Sequence, residues 1–217
     1  MTRAPEGRFK GENSMSEAKA VIFDLGKVLL DFDYAITVQR ILEKSSVAAA
    51  DLQSFIDQSP LLVRYEKGLI TTDEFIDEVC ERAGYSGTNE EFADAFADIF
   101  SPIQPMIDLH ARLYENRVPT YIFSNTNELA IRHVKRQFPF FAEFDGYIYS
   151  YEYHSMKPQT RLYEAVERAA GCGGASLLYL DDRQENIDAG LAHGWDAHLH
   201  ESPEKSAEII RAAGLLG

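Results

Sequence analysis

The sequence predicts an α/β fold built on a parallel sheet, because short apolar segments that end in polar residues alternate with helix-like patterns. Each of three such segments has the length and the continuous apolar character of a buried strand. In parallel sheets, ligands bind beyond the carboxyl ends of the strands, so the polar residues there are candidates for a binding site. The segments and the residues that follow them are Ala20–Phe23 before Asp24, Thr120–Phe123 before Ser124, and Leu177–Leu180 before Asp181 and Asp182.

The stretch between the first segment and the rest of the predicted sheet has a different pattern. Residues 34–100 show apolar residues at helical spacing, as in Phe75, Ile76 and Val79, and no convincing buried strand. A helix start is predicted at Thr72, because two acidic residues follow it and favour the positive end of a helix dipole. We interpret the stretch as a helical insert that covers the strand ends.

The predicted organisation is therefore a core interrupted by one insert. Residues 19–33 and 101–217 form the α/β core, and residues 34–100 form the cap. Residues 1–18 are polar, contain Gly, Pro and charges, and lack the apolar stretch of a secretory signal, so we expect a disordered tail. Met15 is an alternative start.

Composition and charge narrow the classes of function. Of 217 residues, 45% are hydrophobic and 26% are charged, as in ordinary globular domains. No apolar run approaches the roughly 20 residues that span a bilayer. The net charge of −14 repels nucleic acid and anionic membranes, so neither is an expected partner. Two distant cysteines, Cys80 and Cys172, disfavour a disulfide framework or a zinc knuckle and fit a reducing cytoplasm.

Four segments carry the candidate chemistry, and they follow one another along the chain. They are Phe23–Asp33, Phe123–Thr126, Met156–Pro158 and Leu180–Ile187. In residue type and order they resemble the four motifs of the haloacid dehalogenase superfamily, and the helical insert resembles that family's C1-type cap. Within the family, the chain resembles the small sugar-phosphate phosphatases similar to bacterial α-glucose-1-phosphatase. The resemblance implies a Rossmann-like core and a magnesium-dependent phosphatase.

Asp24 is the candidate nucleophile. A carboxylate at a strand end can attack phosphorus and form an aspartyl-phosphate, which splits a difficult displacement into two easier steps. The alternative is an aspartate that only ends a strand or caps a helix. Carboxylate and phosphate are both anions, so the reaction needs a cation, and Mg²⁺ prefers oxygen ligands. By the resemblance, Asp24 and Asp182 supply carboxylate ligands, and Gly26 supplies its backbone carbonyl.

Further polar residues surround this predicted centre. Ser124 through its hydroxyl and Asn125 through its backbone amide are predicted to bind the phosphoryl group, and Lys157 to neutralise charge on that group and on the nucleophile. The alternatives are a local turn at Ser124 and a surface position for Lys157. Asp181 is either a second metal ligand or a partner of the ligands. Asn186 lies near the metal, where it could hold a water, or caps a helix.

Gly26 departs from the family pattern. In most family phosphatases this position is an aspartate that acts as general acid and base, and such catalysis is worth about 10²–10⁴ in rate. Asp31 and Asp33 are candidate substitutes, although a solvated turn is the preferred interpretation. A sugar anomeric oxygen leaves more easily than a simple alkoxide, which agrees with a sugar 1-phosphate substrate. The cap cluster Arg64–Lys67 could select the sugar, although a solvated helix end is the preferred interpretation.

The leading hypothesis is magnesium-dependent hydrolysis of a small phosphorylated metabolite, such as a sugar phosphate, through an aspartyl-phosphate. One alternative is metal-free dehalogenation, in which the aspartate attacks carbon. The paired acids of the fourth segment disfavour it, because without a cation they repel a substrate carboxylate. The other alternative is a catalytically weak binding or regulatory protein, which Gly26 favours. The residues that oppose it are Asp24, Ser124, Lys157 and Asp182.

Overall fold

The core is a parallel sheet, as the computed structural model shows for the residues it describes, 20–57 and 59–216. In chain order the strands are β1 (Ala20–Phe23), β2 (Leu30–Phe32), β3 (Phe100–Pro102), β4 (Thr120–Ser124), β5 (Gly146–Tyr149), β6 (Leu177–Asp181) and β7 (Asp196–Leu199). A five-stranded sheet has the order β5-β4-β1-β6-β7 with every neighbouring pair parallel, and β2 pairs with β3 antiparallel. The predicted α/β class is confirmed. The predicted tail, residues 1–18, and the alternative start at Met15 lie outside the described residues.

The three buried strands predicted from the sequence occupy the centre of the sheet, and β5 and β7 occupy its edges. Every residue of β1, β4 and β6 is buried, which leaves a nearly continuous apolar run in the sequence. The edge strands β5 and β7 are only partly buried and include Gly146, Asp196 and His198. Their sequences therefore lack the pattern of a buried strand.

Helices cover both faces of the sheet and form the insert. In chain order they are α1 (Tyr34–Leu42), α2 (Ala49–Ile56), α3 (Pro60–Glu66), α4 (Thr72–Ala83), α5 (Asn89–Ala97), α6 (Gln104–Glu115), α7 (Glu128–Gln137), α8 (Ser150–Tyr153), α9 (Thr160–Ala170), α10 (Gln184–Ala192) and α11 (Pro203–Ala212). Val21 and Phe23 of β1 face a cluster with α6, α7 and α11, whereas Ala20 and Ile22 face a cluster with α9 and α10. The core thus has three layers. None of the helices described is both long enough and apolar enough to cross a bilayer.

The helical insert comprises α1–α5, which lie between β2 and β3. Pairing of these two strands brings the chain out of the core and back. The insert has its own hydrophobic cluster around Phe75, whose ring centroid lies 4.4 Å from that of Tyr65 and 5.1 Å from that of Phe96. The limits of the cap at residues 34 and 100 stay a prediction, and Phe100 lies in β3 opposite Phe32.

Helix α4 shows how local sequence fixes the elements of the cap. It begins at Thr72, as predicted, and Thr71 caps it. The Thr71 hydroxyl accepts from the Glu74 N–H at 3.2 Å, and the Glu74 carboxylate accepts from the Thr71 N–H at 2.7 Å. This reciprocal capping satisfies amides that the first helical turn leaves without partners.

Candidate active site

The carboxyl ends of the three central strands bring the predicted residues to one edge of the sheet. Asp24 follows β1, and its N–H donates to the Leu180 carbonyl of β6 at 2.9 Å. The Leu25 N–H in turn donates to Oδ1 of Asp24 at 2.7 Å. A cavity of about 710 Å³ opens above these strand ends. The predicted residues that line it are Asp24, Gly26, Ser124, Asn125, Lys157, Asp182 and Asn186.

Lys157 is buried beside the candidate nucleophile. Its Nζ lies 3.0 Å from Oδ1 of Asp24, 2.6 Å from Oδ2 of Asp181 and 2.8 Å from the Phe123 carbonyl. The side chain of Asn125 holds the lysine backbone, because it accepts from the Lys157 N–H at 2.7 Å and donates to the Lys157 carbonyl at 3.1 Å. With three acceptors for its three protons, the ammonium group is fixed, and Lys157 is not the surface lysine of the alternative interpretation.

Asp181 lies beneath the cavity, and both of its carboxylate oxygens already have partners. Oδ1 accepts from the Arg183 N–H and from the Asn186 amide, each at 2.9 Å. Oδ2 accepts from Lys157 at 2.6 Å and from the Tyr179 hydroxyl. Burial acts to raise the pKa of Asp181, but Lys157 and the other donors outweigh it and lower the pKa. These contacts favour Asp181 as a partner that positions Lys157, and Asn186 as an inner residue of α10 that holds Asp181.

The carboxylates at the strand ends carry more negative charge than the lysine balances. Oxygens of Asp24, Asp181 and Asp182 lie within 4.8 Å of one another. Burial raises the pKa of Asp24 to about 7, Lys157 opposes this shift, and the other two carboxylates add to it. Burial and Asp181 also raise the pKa of Asp182. A divalent cation that prefers oxygen ligands, such as Mg²⁺, fits this donor set, with Asp24, Asp182 and the nearby Gly26 carbonyl as the residues that would hold it.

Ser124 has a hydroxyl available to a ligand in the cavity. Among the residues that the structure describes, this hydroxyl makes only a long contact of 3.4 Å, with the Asn125 carbonyl. Ser150 fixes the loop that follows, because its Oγ accepts from the Thr126 N–H at 2.9 Å and donates to the Thr126 carbonyl at 3.0 Å. The loop after β4 is therefore a rigid support for phosphoryl-binding groups.

The space around position 26, and not its backbone conformation, explains why this residue is a glycine. Its φ lies outside the left-handed region that favours glycine. A Cβ at this position would lie 2.7 Å from Cε1 of Phe32. The Phe32 ring is itself held between Tyr34 and Phe100, with ring centroids 5.7 and 6.0 Å away. An aromatic ring thus closes the space that a side chain at position 26 would occupy.

The two candidate substitutes for an acid at position 26 already have structural partners. The Lys27 ammonium binds Asp31, and this hydrogen bond holds the pKa of that exposed carboxyl below its usual value. Asp33 lines the cavity, but its Oδ1 caps α1 by accepting from the Ala35 N–H at 2.8 Å. Both placements favour the solvated-turn interpretation.

The cap supplies polar cavity residues outside the cluster named from the sequence, such as Gln53 and Asp57, and one from within it. Of the cluster Arg64–Lys67, Glu66 lines the cavity. Tyr65 is buried inside the cap, and Arg64 points to Glu78 at 3.6 Å. We call Asp24, Ser124, Lys157 and Asp182 the core side of the cavity, and Gln53, Asp57 and Glu66 the cap side.

Helical spacing was the signal that could have selected Glu66. Leu62 and Val63 precede it by four and three residues and line the same cavity. Residues at these spacings share one face of a helix, so a carboxylate continues an otherwise apolar face of α3. A charged residue on such a face is a stronger candidate than its neighbours in the cluster.

The fold and the site together define an enzyme with a buried carboxylate–lysine pair at the ends of parallel strands, beneath a helical cap. A family model described as haloacid dehalogenase-like hydrolase matches residues 18–194, and the chain belongs to this family. The resemblance found in the sequence is confirmed, and the protein is a hydrolase of this type.

Individual relatives match nearly the whole chain at low identity. A sesquiterpene phosphatase from Aspergillus oryzae is 26% identical over 200 residues, which are 90% of this chain and 97% of that protein. A D-ribitol-5-phosphate phosphatase from Bacteroides thetaiotaomicron is 24% identical over 203 residues, 88% of this chain and 94% of that protein. A haloacid dehalogenase family enzyme from the same bacterium, solved with magnesium and inorganic phosphate, has a TM-score of 0.74 and 24% identity, and the match covers 84% of this chain and 93% of that one.

Proposed function

We propose that the protein is a magnesium-dependent phosphomonoester hydrolase that works through an aspartyl-phosphate on Asp24. The observation that carries this proposal is the buried Asp24–Lys157 pair, 3.0 Å apart, in one cavity with Ser124 and Asp182. Asp24 attacks phosphorus, while Lys157 and Ser124 hold the charge that develops on the phosphoryl oxygens. Mg²⁺ held by Asp24, Asp182 and the Gly26 carbonyl would neutralise charge on the same oxygens. Because Asp181 fixes Lys157, the ammonium group of this lysine stays beside the nucleophile throughout the reaction.

We further propose that the substrate is a small sugar or polyol phosphate. The cap side of the cavity offers the side chains of Gln53, Asp57 and Glu66, which can exchange hydrogen bonds with hydroxyl groups. The relative named as a D-ribitol-5-phosphate phosphatase supports this substrate class. The relative named as a sesquiterpene phosphatase supports a competing class, the phosphates of apolar isoprenoids. An isoprenoid chain would leave the side chains of Gln53, Asp57 and Glu66 without partners, which disfavours that competitor. We also propose a cytoplasmic location, which the free thiols of Cys80 and Cys172 support.

Hydrolysis of p-nitrophenyl phosphate tests the chemistry. We expect turnover with magnesium, loss of turnover in a chelator, and a fall of about 10⁴-fold or more in Asp24→Asn, because an amide is a poor nucleophile. Asp108→Asn is the matched control, since Asp108 is an exposed residue of α6 and should leave turnover unchanged. Full activity in Asp24→Asn would exclude the aspartyl-phosphate, and activity in the chelator would exclude the metal.

A substrate panel tests the proposed class. Pentitol and hexose monophosphates should have higher kcat/KM than farnesyl monophosphate. The reverse order would assign the cap side to isoprenoid recognition. Release of chloride from 2-chloropropionate without metal would favour the dehalogenase alternative. Binding of sugar phosphates without turnover would favour the regulatory one.

A further inference from the structure

We propose that Glu66 of the cap gives a proton to the leaving oxygen and later takes one from the attacking water. This inference rests on the proposed phosphatase function and deepens it. It assigns to the insert a reaction step for which position 26 offers no side chain.

Around position 26, the described residues that could supply a proton already have other partners or are excluded by space. Phe32 closes the space beside Gly26, Lys27 holds Asp31, and Asp33 caps α1. Lys157 donates all three of its protons to fixed acceptors. Because Ser124 is assigned to the phosphoryl group and Asp182 to the cation, we place the proton donor for the leaving group in the cap.

Glu66 is placed at the cap wall of the same cavity that contains Asp24. It ends α3, on the helical face that Leu62 and Val63 also present to the cavity. Within the described residues, its carboxyl makes no hydrogen bond, and Arg183 is the cation that acts on it. A phosphate held by the core side would direct its leaving group toward this wall.

The surroundings of Glu66 suit a group that alternates between acid and base. Burial raises the pKa of Glu66 to about 7, and the Arg183 cation opposes the shift. Tyr34 of α1 and Asp57, which follows α2, also face this region, and Lys27 and Asp33 line the same cavity beside the core-side residues Asp24, Lys157 and Asp182. The pKa of Tyr34 lies well above its usual value, because of burial and of the charges on Glu66 and Asp57, so Tyr34 stays neutral. A carboxyl with a pKa near the working pH is the most effective proton-transfer group.

The two steps balance in atoms and charge. In the first, a carboxylate oxygen of Asp24 forms a bond to phosphorus, the bond from phosphorus to the leaving oxygen breaks, and that oxygen takes the proton of Glu66 to become an alcohol. In the second, water attacks the phosphorus of the aspartyl-phosphate and gives a proton to the Glu66 carboxylate. Asp24 and inorganic phosphate are released, and Glu66 is protonated again.

The test compares leaving groups in Glu66→Gln, which keeps the size of the side chain but cannot supply a proton. The kinetic constant to measure is kcat/KM, which reports the steps up to departure of the leaving group. For a pentitol or simple alkyl monophosphate we expect a fall of about 10²–10⁴-fold. For p-nitrophenyl phosphate we expect little change, because p-nitrophenolate leaves without a proton. Retained activity on that ester also shows that the variant is folded. Glu81→Gln, an exposed glutamate on α4, is the control and should change neither substrate.

The pH dependence gives a second readout that a purely structural role would not produce. The acid must be protonated, so wild-type kcat/KM on the alkyl ester should fall as pH rises through about 7. This limb should be absent with p-nitrophenyl phosphate and absent in Glu66→Gln. Removing the cation that lowers the pKa, in Arg183→Gln, should move the limb to higher pH. Effects on Asp24 or on the phosphate itself would appear with both esters.

Three results would overturn the proposal. One is an equal loss on both esters in a folded Glu66→Gln, which would make Glu66 a positioning residue. The second is an alkaline limb that persists in that variant. The third is an alkyl phosphate activity that does not change at all. Absence of any phosphatase activity in the wild type is a different outcome, because it removes the proposed function itself.

Discussion

The core side and the cap side of the cavity differ in how their polar groups are satisfied. On the core side, Lys157 has three acceptors and Asp181 beneath it has four donors, all within a buried network. On the cap side, Gln53, Asp57 and Glu66 make no side-chain hydrogen bonds within the described part of the chain. The first set is rigid before a substrate arrives, and the second set is free to respond to one.

This difference separates two tasks. Stabilising charge on a phosphoryl group requires donors that are fixed in advance, because such donors do not have to reorient during the reaction. Binding a leaving group and moving a proton require groups that can change partner or protonation state. The comparison therefore assigns attack on phosphorus to the core side and treatment of the leaving group to the cap side.

The largest expected effect is on the rigid side, in Lys157→Met. Removal of this cation leaves the fully buried Asp181 without its charge partner, which should lower the free energy of unfolding by about 3–5 kcal/mol. Turnover should be lost as well. Urea unfolding measures the first effect. Lys205→Met is the control, because the Lys205–Glu201 pair is exposed and solvent screens it, so little change is expected. Similar free energies of unfolding in both variants would contradict the view that the core side is a rigid, preorganised network.

The two sides also differ in how far the sequence predicts them. The core side was recognisable because the central strands β1, β4 and β6 leave apolar runs whose following residues must meet at one sheet edge. Edge strands β5 and β7 gave no such run, since they are only half-buried. The roles of Glu66 and Phe32 could not be read in the same way. They depend on which face of α3 meets the cavity and on where the β2–β3 pair places an aromatic ring.

A smaller effect is expected at the boundary between the two sides, in Gly26→Ala. The added methyl would lie 2.7 Å from a ring carbon of Phe32, and such overpacking should cost about 1–3 kcal/mol of unfolding free energy. The cost should shrink in a Phe32→Ala background, where the ring is absent, so a double-mutant cycle measures the contact. Gly173→Ala is the control, because its methyl would meet Glu167 at an ordinary 3.4 Å.

The cycle also decides what Gly26 means for catalysis. If Gly26→Ala lowers the free energy of unfolding equally in the wild-type and Phe32→Ala backgrounds, Phe32 does not fill the space beside Gly26. Gly26→Asp should not gain activity by itself, because its carboxylate would meet the ring. A gain confined to the Phe32→Ala background would show that the steric block, and not the chemistry of the leaving group, keeps an acid from this position.

The smallest expected effect concerns the joint that holds the cap side over the core side. The Tyr65 hydroxyl of α3 accepts from the buried Leu129 N–H at the start of α7, at 3.1 Å, and contacts the Thr72 hydroxyl at 2.9 Å. Tyr65→Phe leaves that amide without its partner and should cost about 1 kcal/mol of unfolding free energy, with Tyr114→Phe at an exposed site as the control.

The more specific readout is hydrogen exchange at the Leu129 amide, which should become faster in Tyr65→Phe alone. Since Glu66 follows Tyr65 on the same helix, we also expect a higher KM for alkyl phosphates with kcat/KM for p-nitrophenyl phosphate nearly unchanged. An unchanged exchange rate at Leu129 would mean that packing of Tyr65 against Phe75, and not this hydrogen bond, holds the cap in place.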